Sequence, residues 1–283
     1  MYKANLHTHS IYCDGNNTPE EIIKTAIEKE FTTLGFSSHS LYPFAEDWHI
    51  SPQNFEKYIN EIRFLQEKYK NEIEIFCGFE VDYLPPISYP QKNIYKKFNP
   101  DYIIGSVHYI TGKNGVASVD SSAQSVLQGI ELYFQGNAKK ATQTYFATQR
   151  EMLQTGSFDI IGHIDVIRKR NDILKLFDEN SSWYKAEIKK TAKEIAKSGV
   201  IVEVNTGGIA RKALNDVYPS EYFLKQLNKL DVPIMINSDA HDSKDLDCAF
   251  DIAKEKIQKA GYTEIVKIER EANQIKFETI PLF

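Results

Sequence analysis

The stretch "NLHTHSIYCDG", residues 5–15, decides how the rest of the chain is read. His7 and His9 stand two apart in it, and Asp14 follows in an Asp-Gly turn. The surrounding "KANLHTHS" reads as a strand, on which residues two apart point the same way. Two imidazoles on one strand face can grip one divalent ion. Such a pair is half a site, so the other half has to come from elsewhere in the chain.

Working outward, short apolar runs alternate with segments of helical period. "TPEEIIKTAIEKEF" is a helix in which Thr18 caps, Pro19 suits the first turn, and Glu20 and Glu21 lie at the positive dipole end. "SPQNFEKYINEIRFLQEKYK" carries Phe55, Ile59, Ile62 and Leu65 at helical spacing. Further helices are expected over 138–155, 182–198, 220–229 and about 245–260. Strands are expected at "TLGFSSHS", "EIEIFCGFEVDYL", "DYIIGSVHYI", "FDIIGHIDVI", "VIVEVNTGG" and "VPIMINSDAHD". A hairpin of "EIVKIER" with "QIKFETI" closes the chain. Seven strand-like runs, mostly followed by helices and several apolar throughout, imply a parallel α/β architecture. No glycine-rich phosphate loop follows the first strand, which favours a barrel over an open doubly wound sheet. No linker divides the chain, so residues 1–283 are expected to form a single domain.

Composition narrows the function. The 283 residues are 42% hydrophobic and 26% charged with a net charge of -5, ordinary globular values that argue against a basic nucleic-acid-binding surface. Cys13, Cys77 and Cys248 are too scattered for a disulfide framework or a CxxC zinc site. No apolar run approaches the ~20 residues that span a bilayer, and no signal segment opens the chain. A cytoplasmic protein without membrane or nucleic-acid partners is expected.

Six of the seven histidines fall at or just past a strand end: His7, His9, His39, His108, His163 and His241. In an α/β barrel the carboxyl ends of the strands form the active-site face, where residues distant in sequence converge. Glu80, Asp239 and Asp14 occupy matching positions. Any one of these residues alone reads as a cap, turn or core group; the ordered set reads as metal ligands. His49 lies outside the pattern and reads as a loop residue. Nine nitrogen and oxygen donors exceed what one zinc-like ion accepts, so two or three ions are expected, with Glu80 bridging. Three divalent ions against three carboxylates leave a charge of about +3, suited to a phosphate dianion. Multi-metal sites support in-line phosphoryl displacement, although the ligands alone also suit amide or lactone hydrolysis. Arg168 and Arg211, just past strand ends, are candidate phosphate contacts. Tyr42, Asp47, Trp48 and Asp165 lie in loops that could meet the rest of the substrate.

Taken in order, H-x-H, D-G, "SSHS", "GFEVDY", "GSVHY", "GHIDVIRK", "EVNTGG" and "SDAH" resemble the PHP (polymerase and histidinol phosphatase) superfamily from residue 7 to residue 242. Within it the chain is similar to the histidinol-phosphate phosphatases of histidine biosynthesis. The resemblance implies a distorted (β/α)7 TIM-like barrel and a trinuclear zinc, iron or manganese centre. By position it assigns His7, His9, Glu80 and Asp239 to one ion, Glu80, His108 and His163 to a second, and Asp14, His39 and His241 to a third. It implies attack on L-histidinol phosphate by a hydroxide bridging the first two ions. Asp239 would orient the nucleophile or take its proton, and His241 or the third ion would stabilise the leaving alkoxide. Two departures stand out. Many such phosphatases have histidine where this chain has Asp14, and an acid often precedes the histidine where Ser38 stands, so a weaker third site is implied. Other small phosphomonoesters, nucleotides or phosphodiesters, and a non-catalytic metal-binding regulatory domain, remain as alternatives.

Overall fold

The computed structural model describes residues 2–40, 48–272 and 274–282. In chain order its strands are β1 (Ala4–Asn5), β2 (Thr33–Phe36), β3 (Glu74–Asp82), β4 (Tyr102–Ser106), β5 (Tyr109–Gly112) and β6 (Gly115–Ser118). They continue with β7 (Ile160–Ile161), β8 (Ile201–Asn205), β9 (Ile234–Asn237), β10 (Glu264–Glu271) and β11 (Gln274–Pro281). Seven of them form one parallel sheet in the order β1-β2-β3-β4-β7-β8-β9. The sheet curls into a nearly closed barrel. Its two edges meet just beyond the strands: the His9 amide donates to the Ala240 carbonyl at 2.9 Å, and the Ala240 amide donates to His7 at 3.1 Å. The expected seven-stranded α/β barrel is the observed one.

Helices run back outside the sheet, including Pro19–Glu28, Phe55–Tyr69, Ala138–Thr155, Ser182–Ser198, Glu221–Asn228 and Phe250–Lys259. The first begins as its sequence demands. The Thr18 hydroxyl accepts from the Glu21 amide, and the Glu21 carboxylate accepts from the Thr18 amide, so two otherwise orphaned donors are satisfied. Ile22, Ile23 and Ala26 then face inward, and all three are buried. No helix among the described residues is long and apolar enough to cross a membrane.

The barrel's lower interior is filled by Leu6, Phe76, Tyr102, Ile104, Ile160, Ile201 and Met235. Val266 and Ile268 of the β10–β11 hairpin complete this cluster and stopper the amino-terminal mouth, which leaves the other mouth for chemistry. Tyr102 is the largest member. Its hydroxyl donates to the Leu6 and Phe36 carbonyls, across three strands. Room for its ring comes from two glycines: a Cβ at Gly78 would lie 2.6 Å from the ring, and one at Gly35 2.4 Å from the hydroxyl.

Two details differ from the sequence reading. "DYIIGSVHYI" is not one strand. The chain leaves the barrel after Ser106 and turns at Val107–His108 into the β5–β6 hairpin. A helix over Ala123–Phe134, absent from the expectation, packs on that hairpin, with Gly129 against Ala117. Its signal was present, since Ser122 caps it and Val126, Ile130 and Phe134 recur every four residues and are buried.

Gly78→Ala is expected to destabilise the protein by about 1–3 kcal/mol, because the rigid Tyr102 ring cannot yield without losing its carbonyl partners. Thermal unfolding of variant and parent measures this; an unchanged midpoint would contradict the packing described.

Candidate metal centre

Every strand of the barrel delivers a polar side chain to its carboxyl end. The segment after β1 brings His7 and His9, the segment after β2 brings His39, and β3 carries Glu80 and Asp82. His108 follows β4, His163 follows β7, β8 carries Glu203, and Asp239 and His241 follow β9. Backbone pairing sets the heights: a parallel bridge joins His39 to Glu80, and the barrel's closing bridge joins Thr8 to Ala240. Each closing residue is thereby flanked by candidate ligands. Asp239 is held at φ 52°, a left-handed conformation uncommon outside glycine, and such strain concentrates at functional sites.

Glu80 is the hub and is 1% exposed. Its Oε2 lies 3.0 Å from His7 Nε2, 3.5 Å from His9 Nε2 and 3.2 Å from His39 Nδ1. Its Oε1 lies 3.1 Å from His163 Nε2 and 3.5 Å from His108 Nε2. The two oxygens therefore serve two different groups of imidazoles. Asp239 Oδ1 stands 3.2 Å from His9 Nε2 and 3.6 Å from His7 Nε2. Asp14 Oδ2 stands 3.1 Å from His241 Nε2 and 3.8 Å from His39 Nε2. The nine candidate residues thus converge at one mouth of the barrel, but their closest groups differ from the three sets that the resemblance implies: His108 and His163 fall in separate groups with Glu80, and His9 joins Asp14, His39 and His241.

This donor set fits divalent metal. One donor atom each from His9, Asp14, His39 and His241 lie within 4.8 Å of one another, and the same holds for His7, His9 and Asp239, for His7, Glu80 and His163, and for His39, Glu80 and His108. Several of the atoms are buried yet lack a well-directed hydrogen bond, among them His9 Nε2, His39 Nδ1 and Asp14 Oδ1. His108 Nε2 and His163 Nε2 face each other at 3.2 Å. Buried polar atoms left unsatisfied are costly, and a cation among them removes that cost.

Behind the candidate ligands stand two carboxylates, Glu203 and Asp82, that are not among the expected site residues. Glu203, fully buried, accepts from His7 Nδ1 at 2.8 Å, from the His163 amide at 2.7 Å, and from the side chains of Asn205 and Asn237. Asp82 lies 2.6 Å from His108 Nδ1. Each directs the opposite ring nitrogen toward the cluster. Both lie on strands two residues from another inward-facing group, a spacing that could have revealed them. His49, read as a loop residue, is buried with its Nε2 3.7 Å from Asp82 Oδ2.

The electrostatics follow from this arrangement. Burial opposes charge on His108, but Asp82 and Glu80 raise its pKa to about 10. His7 is likewise raised against burial by Glu203, Glu80 and Asp239. Glu80 is buried too, yet His7, His39 and His108 hold it well below the usual carboxylate range. Burial dominates at His39, whose pKa falls to about 3.

The two arginines part company. Arg211 lines the cavity of about 550 Å³ above the cluster. It donates to Asp239 Oδ2 at 2.6 Å and to the Asp239 carbonyl at 2.8 Å. Arg168, expected to meet phosphate, does not line this cavity. It is buried and committed to Glu179 at 2.8 Å, Asp216 at 2.7 Å and the Val217 carbonyl at 3.0 Å. The next residue, Lys169, is the one that reaches the cavity, because the 3-10 turn Val166–Arg168 rotates its neighbour outward. Asp165 is also buried away from the cavity, where it accepts from the Ser220 amide. Trp48 lines the cavity as expected; Tyr42 and Asp47 lie outside the described residues.

A family model for the PHP domain matches residues 5–207. The chain belongs to the PHP domain family. Among similar proteins, the "Probable histidinol-phosphatase" of Schizosaccharomyces pombe is 27% identical over 280 residues, covering 93% of this PHP chain and 89% of the relative. The histidinol-phosphatase of Bacillus subtilis is 22% identical, covering 89% and 98% respectively. Among solved structures, histidinol phosphate phosphatase from Lactococcus lactis, complexed with zinc, L-histidinol and phosphate, superposes with a TM-score of 0.73 at 20% identity. That likeness covers 97% of this PHP chain and 98% of the other, and it establishes the shared barrel.

Two outcomes are expected of this centre. Glu203→Gln should weaken metal binding roughly 10- to 100-fold, read by competition with a chromogenic chelator. Metal loading should also release protons, because His7 and His108 are held protonated without it and an ion needs their neutral nitrogens. Apparent affinity should therefore fall as pH falls. Calorimetry in buffers of different ionisation enthalpy counts the protons, and a count of zero would contradict the described pairing.

Proposed function

We propose that this PHP domain is a metal-dependent phosphomonoesterase that hydrolyses L-histidinol phosphate to L-histidinol and phosphate. The observation that carries the reading is the set of four overlapping donor groups, two of them sharing Glu80, at the floor of a cavity large enough for one small ester. The names of the relatives supply the substrate. We assign His7, His9, Glu80 and Asp239 to a first ion, Glu80, His108 and His163 to a second, and Asp14, His39 and His241 to a third. Zinc, iron and manganese all suit such nitrogen and carboxylate donors. Divalent ions bound there would polarise the phosphoryl oxygens and acidify the attacking water.

The chain's own groups do the rest. Asp239 orients the water and takes its proton through Oδ1, while Arg211 holds Oδ2 and keeps that carboxylate aimed. Arg211, about one-third exposed, also meets a phosphoryl oxygen, and Lys169 takes the phosphate role first given to Arg168. The proton taken up by Asp239 goes on to the leaving alkoxide, and His241, one-quarter exposed and beside the opening, would with Asp14 and His39 hold an ion that offsets the alkoxide's charge. The whole chain acts as one catalytic domain, and three free cysteines suit the reducing cytoplasm.

Protein stripped by chelator and reloaded with zinc, manganese or iron tests the proposal. Two or three ions per chain are expected, with phosphate released from L-histidinol phosphate far faster than from phenyl phosphate. Equal rates on the two esters would overturn the substrate, and full activity with fewer than two ions would overturn the centre. Asp239→Asn with metals still bound should lower kcat on the order of 100-fold or more; near-parental turnover would remove its proton role.

A further inference from the structure

Beyond the donor groups, the cavity has a second wall made of Trp48, Tyr109, Ser118, Asp120, Ser121 and Lys169. Asp120 is the carboxylate of the described cavity lining that belongs to none of the donor groups around Glu80. It is held by the fold rather than by chance. The amide of the preceding residue, Val119, donates to the His108 carbonyl at 2.9 Å, and the carbonyl of the following residue, Ser121, accepts from Arg170 Nε at 2.9 Å. Asp120 is thus pinned on one side to the backbone of a candidate ligand and on the other to the segment beyond His163. Lys169 Nζ lies 3.1 Å from its Oδ2, and the Ser118 hydroxyl donates to its Oδ1 at 3.4 Å. Burial disfavours its charge, and the Lys169 ammonium beside it holds its carboxyl below the usual carboxylate range.

Two contacts leave a carboxylate with further acceptor capacity, since its two oxygens offer about four lone-pair sites. The cavity is therefore polarised. Its floor would be cationic once ions are bound, with Arg211 at the rim, and among the described residues its far wall carries the Asp120 carboxylate, engaged by Lys169 through Oδ2 with Oδ1 held only by the Ser118 hydroxyl at 3.4 Å. A substrate with a phosphate at one end and a cation a few bonds away matches that polarity; a plain alkyl phosphate does not.

We propose that Asp120 is the specificity residue that receives the ammonium group of an aminoalkyl phosphate, with Lys169 and Ser118 holding its carboxylate ready. This rests on the phosphomonoesterase reading above and names the part of the substrate which that reading left without a partner. In L-histidinol phosphate the ammonium is borne on the carbon next to the ester CH2, close enough to the phosphate for a group anchored to His108 to reach it. The imidazole, farther out, meets the Trp48 and Tyr109 side of the wall, whose rings lie at 25° to each other with centroids 6.1 Å apart. A charge-assisted hydrogen bond in a shielded site distinguishes strongly between a ligand that makes it and one that leaves the carboxylate unpaired.

The test compares metal-quantified parent, Asp120→Asn and Lys169→Met on two esters: L-histidinol phosphate and 3-(imidazol-4-yl)propyl phosphate, which lacks only the amine. The parent should prefer the amine-bearing ester roughly 10- to 100-fold in kcat/KM. Asp120→Asn should erase that preference through a higher KM for L-histidinol phosphate, while its loss on the amine-free ester is small by comparison. Lys169→Met should slow both esters through the lost phosphate contact and also lower the preference, because Asp120 loses its holding partner; an unchanged preference in this variant would overturn the holding role. A parent that cleaves both esters equally overturns the proposal without need of any variant, and leaves the phosphatase reading standing. An Asp120→Asn variant that loses both esters alike also overturns it, since the residue would then serve the imidazole or merely support Lys169. A parent that cleaves neither ester overturns the phosphatase reading and this inference with it.

Discussion

The two hydrogen bonds that tie Ala240 to His7 and His9 close the barrel, and the site depends on that closure. They join the first strand to the last and leave candidate ligands on both sides of the seam: His7 and His9 on one edge, Asp239 and His241 on the other. Without the seam, the H-x-H pair and the S-D-A-H segment would sit on opposite free edges of an open sheet. Asp239, next to the seam, adopts a left-handed backbone conformation uncommon outside glycine. The opposite mouth is stoppered by the terminal hairpin and the Tyr102 layer, so polar groups gather where the barrel stays open.

A second constraint is charge. Six histidines and several carboxylates are packed into a small buried volume, where neither kind could remain ionised alone. Alternation resolves this: Glu80 sits among imidazoles on both of its oxygens, Asp14 between His39 and His241, and Asp239 against His9 and Arg211. Glu203 and Asp82 stand behind the rings and decide which nitrogen of His7 and His108 faces inward. The preference for cations therefore belongs to the whole network, because the inner donors are aimed by outer carboxylates that never face the cavity.

The candidate ligands were legible because they obey a positional rule: a strand pattern followed by histidine or acid, repeated around the barrel. What escaped the reading lacked such a rule. Arg168 and Lys169 are adjacent cations after the same strand, and only the short 3-10 turn decides that one is buried against Glu179 and Asp216 while the other faces the cavity. "DYIIGSVHYI" is apolar throughout, so nothing in its period marks the point where the chain leaves the barrel to form the β5–β6 hairpin. Asp120 lies at the end of that hairpin, in a segment that reads as an ordinary polar turn.

By itself the sequence determined the barrel class, most of the outer helices and the identity of the nine convergent side chains. Those features are written in local periodicity and in residue type at strand ends, which a linear chain carries. Only the tertiary structure decided that Glu80 faces different imidazoles with its two oxygens, that Glu203 and Asp82 stand behind the rings, and that Asp120 and Lys169 wall the cavity while Arg168 does not. Those outcomes depend on register across the closing seam and on which side of a turn a side chain emerges. Both are settled by packing between segments that lie from about ten to more than two hundred residues apart, beyond the reach of any local pattern.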